Sequence, residues 1–108
     1  MHSLRDSKVA VIMPCYNGER YVSQALESVL AQNYHDFQVV VGNDGSTDNT
    51  ASILEQFSDR VKIVNHPDAG NHGQAATYNL CLQHAESEYI AFIDNDDLWE
   101  PDKLQRQV

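Results

Sequence analysis

The sequence predicts an α/β domain, a mostly parallel sheet with helices on both faces. Three observations carry that expectation: apolar runs rich in β-branched residues recur along the chain, each empties into a loop of Gly, Pro, Asn or Asp, and helical patterns separate the runs. The chain has 108 residues, enough for one domain with one core.

The first strand covers residues 9–13, Val-Ala-Val-Ile-Met, continuously apolar as a strand buried on both faces must be. Pro14 ends it and the turn pair Asn17-Gly18 follows. Val22, Ala25, Leu26, Val29 and Leu30 then recur at helical spacing, with Glu19, Arg20, Gln24, Glu27 and Gln32 mostly on the other side, and the helix ends near Asn33. Residues 37–41 form the second strand, residues 42–48 a turn, and Ala51, Ile53, Leu54 and Phe57 mark a short helix. Residues 61–64 are the third strand. A loop over residues 65–73, carrying Pro67, leads to a helix around residues 75–85, and residues 89–93 are the fourth strand. Pro101 opens a further helix. No internal repeat, low-complexity stretch or linker divides residues 1–108, so they read as a single domain.

Composition narrows the partners. Hydrophobic residues make up 42% and charged residues 21%, ordinary for a globular chain. Sixteen Asp and Glu against seven Lys and Arg give a formal net charge of −9, which repels polyanions and argues against nucleic acid. A small anionic ligand would bind only where a helix N-terminus, backbone amides or a metal cation reverse the local sign. Cys15 and Cys81 lack metal-ligand spacing and read as free buried thiols of a reducing compartment. The polar start MHSLRDSK does not resemble a signal peptide, and no apolar run approaches the roughly 18 residues of a membrane span, so the segment is expected to be soluble and cytoplasmic.

In a parallel sheet the loops after the strand ends gather along one edge, where ligands of doubly wound folds bind. That edge carries Pro14-Cys15-Tyr16-Asn17, Asn43-Asp44-Gly45-Ser46 and Asp94-Asn95-Asp96-Asp97. Ser46, Thr47 and Asp48 fit the start of a helix, as cap and first-turn acid. Asp44 comes straight off a strand, and two roles stay open to it, a turn residue or an acceptor for a nucleoside's ring N–H or ribose hydroxyls. In extended backbone Asp94 and Asp96 project to one side, and hard oxygens that close suit Mg²⁺ or Mn²⁺, although an acidic turn capping the next helix has the same appearance. Three carboxylates in four residues repel one another unless a cation is near. His66 and His72 read as surface loop residues, whereas Tyr16, Tyr78 and Trp99 could stack on a ring, with packing under the acidic loop an equally good reading for Trp99.

Together Val11-Ile12-Met13-Pro14-Cys15-Tyr16-Asn17, Asn43-Asp44-Gly45-Ser46-Thr47-Asp48 and Asp94-Asn95-Asp96-Asp97 resemble the signatures of family 2 glycosyltransferases. Ser28-Val29-Leu30-Ala31-Gln32 and Trp99-Glu100-Pro101-Asp102-Lys103-Leu104 add to a likeness that covers nearly everything from Val9 onward. The resemblance implies the Rossmann-like GT-A fold and inverting transfer of a sugar from a nucleotide-diphosphate sugar to an acceptor hydroxyl, with Mg²⁺ or Mn²⁺ on the diphosphate. It places Pro14 and Tyr16 beside the nucleoside, Asp44 on base or ribose, Asn95 and Asp96 on ribose and diphosphate, and Asp94 and Asp96 on the metal.

By the same likeness residues 1–108 are the nucleotide-sugar-binding part, with the general base and the acceptor site expected beyond residue 108. Glycans and lipid-linked glycans are the implied acceptors, the latter placing the longer protein peripherally at the inner face of a membrane. Apolar surface bared without the acceptor half is expected to favour self-association. Two positions depart from the pattern: Asn43 stands where relatives often carry a second acid, and Ala76-Thr77-Tyr78-Asn79 replaces a frequent Ala-Arg-Asn, removing a cation. A nucleotide-sugar-binding module without catalysis is the alternative. A nucleotidyltransferase would need a Gly-rich basic loop after the first strand, and a phosphoacceptor domain a Lys at a strand end; the sequence has neither.

Overall fold

A computed structural model describes residues 7–107. The elements run β1 (Ser7–Cys15), α1 (Val22–Leu30), β2 (Phe37–Asn43), α2 (Thr50–Glu55), β3 (Lys62–Asn65), α3 (Gln74–Gln83), β4 (Ser87–Phe92) and α4 (Lys103–Gln107). The strands form one sheet in the order β3-β2-β1-β4, every pair parallel. The expected α/β class and strand–helix alternation are therefore observed. The chain steps outward from β1 to β2 and β3, then returns to place β4 on the other side of β1. That reversal puts a topological switch point beside the end of β1.

Side chains alternate across β1 and divide the core between two faces. Val9, Val11, Met13 and Cys15 pack with Val22, Ala25, Leu26 and Val29 of α1, Leu54 of α2 and Leu104 of α4. Ala10 and Ile12 face the other way, with Val40, Val64 and Cys81 of α3. Helices thus cover both faces. Gly42 lets α3 lie close, since a Cβ there would come within 2.6 Å of Thr77 Cγ2.

Two expectations need correction. The apolar run at residues 89–93 reads like the buried run of β1, yet among the described residues β4 lies at the edge of the sheet, and Tyr89, Ile90 and Phe92 are 55%, 39% and 52% exposed. Gln32, placed on the polar side of the first helix, is 1% exposed. α1 stops at Leu30, and the chain beyond turns Gln32 inward. Its Nε2 donates to Glu100 O at 2.6 Å and Ser28 O at 3.2 Å, while its Oε1 accepts from Leu104 N at 3.0 Å. Asn33 N donates to Pro101 O at 2.8 Å, and Trp99 N to Ser28 Oγ at 3.1 Å. The end of α1 therefore clasps residues 99–104, the segment that leaves the Asp-rich loop. Among the described residues, no helix is long and apolar enough to cross a membrane.

Candidate functional site

At the carboxyl edge of the sheet, on the switch point, lies a cleft of about 560 Å³ lined by Pro14, Cys15, Tyr16, Asp44, Asn71, Gly73, Gln74, Asp94, Asn95 and Asp96. Its size falls in the range of small-molecule sites. Every residue singled out as a candidate ligand contact on this edge (Pro14, Tyr16, Asp44, Asp94, Asn95 and Asp96) is among the lining residues. Among the described residues, none of those lining the cleft is Lys or Arg, so a bound polyanion would meet carboxylates without a side-chain cation from them. Another cleft, about 430 Å³, lies at the opposite end of the strands against Phe37, Val61, Lys62 and His84, away from this edge.

The acidic residues arrive by a different route from strand alternation. β4 ends at Phe92, and residues 94–97 fold into a turn closed by Asp97 N donating to Asp94 O at 3.1 Å. That turn, rather than extended backbone, gathers Asp94 with Asp96 and brings in Asp97: oxygens of the three carboxylates lie within 4.8 Å of one another, all on exposed residues. Asn95, a residue at home in turns, signals the bend in the sequence itself. Its Nδ2 donates to Cys15 Sγ at 3.4 Å, and Gly18 makes room for it, since a Cβ at Gly18 would sit 2.7 Å from Asn95 Nδ2. Hard, exposed oxygens at this spacing fit Mg²⁺ or Mn²⁺ with water and phosphate completing the shell.

Asp44 is 4% exposed and occupied. Its Oδ1 accepts from His72 N at 2.7 Å, and its Oδ2 accepts from Gly73 N at 3.1 Å and Asn71 Nδ2 at 3.3 Å. It is therefore the post to which the loop over residues 65–73 is tied. Gly45 lets that loop come close: it sits at φ +67, and a Cβ there would lie 2.5 Å from Gly70 C and Asn71 N. His66, expected on the surface, is 9% exposed beneath this loop, with Nε2 3.0 Å from Thr77 Oγ1 and 3.4 Å from Asp44 Oδ1. His72 is the exposed one; its Nε2 lies 2.7 Å from Asp68 Oδ1, and Asp68 also accepts from Gly70 N. The His72 contact and that amide hold the Asp68 carboxyl below the usual range.

Ser46 and Thr47 do not cap a helix. α2 begins at Thr50, and the two residues instead stitch the loop after β2 to the loop after β1. Asn17 N donates to Ser46 Oγ at 3.0 Å, Thr47 N donates to Asn17 Oδ1 at 2.8 Å, and Gly18 N donates to Thr50 Oγ1 at 2.9 Å. Asn17 adopts φ +50, a conformation Asn tolerates better than most residues. Asp48 accepts from Glu19 N through Oδ2 and from the Thr50 amide and hydroxyl through Oδ1. Partial burial works to raise its carboxyl, but the Thr50 hydroxyl and these amides outweigh burial and lower it. Sequence spacing missed this brace because its partners lie about thirty residues apart.

Of the aromatic candidates, Tyr16 stands at the cleft, 49% exposed. Tyr78 packs edge-on against Phe92 with ring centroids 4.9 Å apart, and Trp99 packs against the α1 face of the core under Lys103. Both cysteines are free and buried, and burial pushes their thiols up, Cys81 to about 12.

Comparison with known proteins identifies the family. The family model described as glycosyl transferase family 2 matches residues 10–108. An uncharacterized glycosyltransferase of Nostoc sp. is 42% identical over 105 residues, covering 94% of this chain and 32% of its own length. UDP-Glc:alpha-D-GlcNAc-diphosphoundecaprenol beta-1,3-glucosyltransferase WfgD of Escherichia coli is 39% identical over 104 residues, covering 95% of this chain and 40% of its own. Among solved structures, S. aureus TarS 1-349 in complex with UDP-GlcNAc superposes with a TM-score of 0.85 at 33% identity, over 93% of this chain and 30% of that one. Mannosyltransferase PcManGT from Pyrobaculum calidifontis, in complex with GDP-Man and Mn²⁺, gives 0.83 at 30% identity, over 90% of this chain and 30% of that one. The chain spans about a third of the length of the relatives it matches. It belongs to glycosyl transferase family 2 and has the GT-A fold.

Proposed function

We propose that residues 1–108 form the donor-binding part of an inverting glycosyltransferase, holding a nucleotide-diphosphate sugar in the cleft at the carboxyl edge of the sheet. One observation carries the reading. Carboxylate oxygens of Asp94, Asp96 and Asp97 are gathered within 4.8 Å, and among the described residues the cleft that Asp94 and Asp96 line together with Asp44 and Tyr16 has no Lys or Arg in its wall. A diphosphate enters such a cleft where the local sign is reversed; a divalent cation on the acidic turn does this beside the start of α3, and the oxygen donors present fit one. The ligands bound in two structural neighbours, UDP-GlcNAc in one and GDP-Man with Mn²⁺ in the other, support the same ligand class.

Asp94 and Asp96 would hold Mg²⁺ or Mn²⁺, which when bound neutralises charge growing on the departing diphosphate. The chain's own residues do the rest of the binding. Tyr16 offers an exposed ring beside Pro14 for the nucleoside. Asp44 offers acceptors to a base N–H or ribose hydroxyl; of the groups on its carboxylate, the Asn71 amide, at 3.3 Å and on an exposed residue, is the one a nucleoside replaces. Asn95 and Asp96 take the ribose and diphosphate side. Tyr78, standing where relatives often carry Arg, leaves more of the phosphate charge to the cation.

The general base and acceptor site fall to sequence beyond residue 108, in keeping with the greater length of the relatives. The Escherichia coli relative is named for a lipid diphosphate acceptor, and an acceptor of that kind would place the whole protein at the inner face of a membrane.

Calorimetric titration of UDP, GDP and dTDP, with Mn²⁺ and with EDTA, into wild type and Asp96→Ala tests the reading. It predicts binding of one nucleotide that requires Mn²⁺ and is lost in the variant. Binding unaffected by EDTA or by Asp96→Ala would remove the metal from the account, and no binding would remove the nucleotide.

A further inference from the structure

Beneath Asp44, hydrogen bonds through Thr77 and Gly73 are completed by an imidazole–carboxylate contact of 3.4 Å. We propose that His66 is a positioning residue for the nucleoside subsite, fixing the direction in which Asp44 presents its carboxylate; this rests on the nucleoside reading of Asp44.

Three elements meet at His66. It follows β3 directly, its Nε2 lies 3.0 Å from Thr77 Oγ1 in α3, and the same nitrogen lies 3.4 Å from Oδ1 of Asp44 at the end of β2. Thr77 Oγ1 donates its own hydrogen to Gly73 O at 3.0 Å, so only lone pairs remain to face His66. An ionised Asp44 is likewise acceptor-only. With the Thr77 hydroxyl hydrogen on Gly73 O, a proton on Nε2 serves both neighbours, and that tautomer is part of the proposal.

The circuit closes through Gly73. Its carbonyl takes the Thr77 hydroxyl, and its amide donates to Asp44 Oδ2 at 3.1 Å. Oδ1 is held inward between the imidazole and the His72 amide, which leaves Oδ2 with Gly73 and the displaceable Asn71 amide. Without the imidazole, Asp44 gains freedom to rotate toward the space vacated below it. A nucleoside donor then meets an acceptor that is present but not aimed. His66 touches no part of the ligand itself; Asp44 and the loop stand between them.

The test uses this chain with His66→Ala and His66→Gln, measuring affinity for UDP and GDP in Mn²⁺, affinity for Mn²⁺ alone, and the ¹⁵N shifts of the wild-type imidazole. Loss of one such aimed contact predicts about a tenfold weaker nucleotide affinity for His66→Ala. Mn²⁺ alone binds as in wild type, His66→Gln recovers most of the loss through its amide donor, and the wild-type ring shows the Nε2–H tautomer. Wild type that binds nucleotide, with His66→Ala equal to it, overturns this inference and leaves the nucleoside reading standing. Wild type that binds neither nucleotide overturns both. Should His66→Ala fail to fold, an Nδ1–H tautomer in wild type, or His66→Gln folded but as weak as a chain lacking Asp44, overturns it.

Discussion

Replacing Gln32 by alanine removes the clasp between the end of α1 and residues 99–104. The side chain makes three hydrogen bonds, to Glu100 O at 2.6 Å, Ser28 O at 3.2 Å and from Leu104 N at 3.0 Å. Leu104 is 1% exposed, so its amide loses its acceptor in a place water reaches poorly. A made hydrogen bond contributes about 1 kcal/mol net, and a buried group left unpaired costs about 1–3 kcal/mol. The bonds partly overlap in effect, and the sum is about 2–4 kcal/mol. Domains of this size hold about 5–15 kcal/mol in all, so the variant should unfold roughly 10–20 °C below wild type.

Thermal and guanidinium unfolding followed by circular dichroism would measure this, with Gln24→Ala as control on the exposed face of the same helix, expected within about 0.5 kcal/mol of wild type. A Gln32→Ala protein as stable as that control would refute the reasoning. It would mean that residues 99–104 are held by packing of Trp99 and Leu104 rather than by the clasp.

Gly45→Ala forces a Cβ against the backbone of Gly70 and Asn71 at a positive φ, and should cost about 3 kcal/mol from strain and displacement of the loop, read as a lower unfolding midpoint together with weakened nucleotide binding. Both thiols are held protonated by burial, so a disulfide reagent at pH 8 should label Cys15 and Cys81 slowly in the native chain and rapidly in guanidinium. The lowered carboxyl of Asp48 is stabilising when ionised. Its contribution is complete above the ordinary carboxylate value of about 4 and disappears as pH falls through the depressed folded value, so the advantage of wild type over Asp48→Asn at pH 7 should shrink in acid unfolding curves.

How much of this was legible in the sequence depended on how local the cause was. β1 could be read because burial on both faces leaves an unbroken apolar run, a property of consecutive residues. β4 carries nearly the same run, but strand order rather than composition puts it at the edge among the described residues. The gathering of Asp94 and Asp96 was expected for the wrong geometric reason; a turn does it, and the Asn95 between them was the available clue. Gln32 and His66 gave no local signal, because their partners stand up to seventy-two residues away in one case and twenty-two in the other. A polar residue is buried only where tertiary structure brings it a partner, and pattern along the chain is silent on that. Ser46 and Thr47 misled for a related reason: a hydroxyl beside a helix start usually caps it, and here Asn17 of the neighbouring loop takes the bonds instead.

The central claim is that a divalent cation sits on the acidic turn and brings a nucleotide diphosphate into the cleft beside it. Mn²⁺ is paramagnetic and broadens the amide signals nearest to it, so a ¹H–¹⁵N spectrum of this chain titrated with Mn²⁺ and UDP or GDP locates the ion directly. The account predicts that broadening starts at residues 94–97, spreads to Cys15 and Gly18, and spares the far end of the sheet around Asp59 and Glu86, with the nucleotide sharpening the preference. Broadening centred on that far end, or spread evenly over the exposed carboxylates whether or not nucleotide is present, would contradict it.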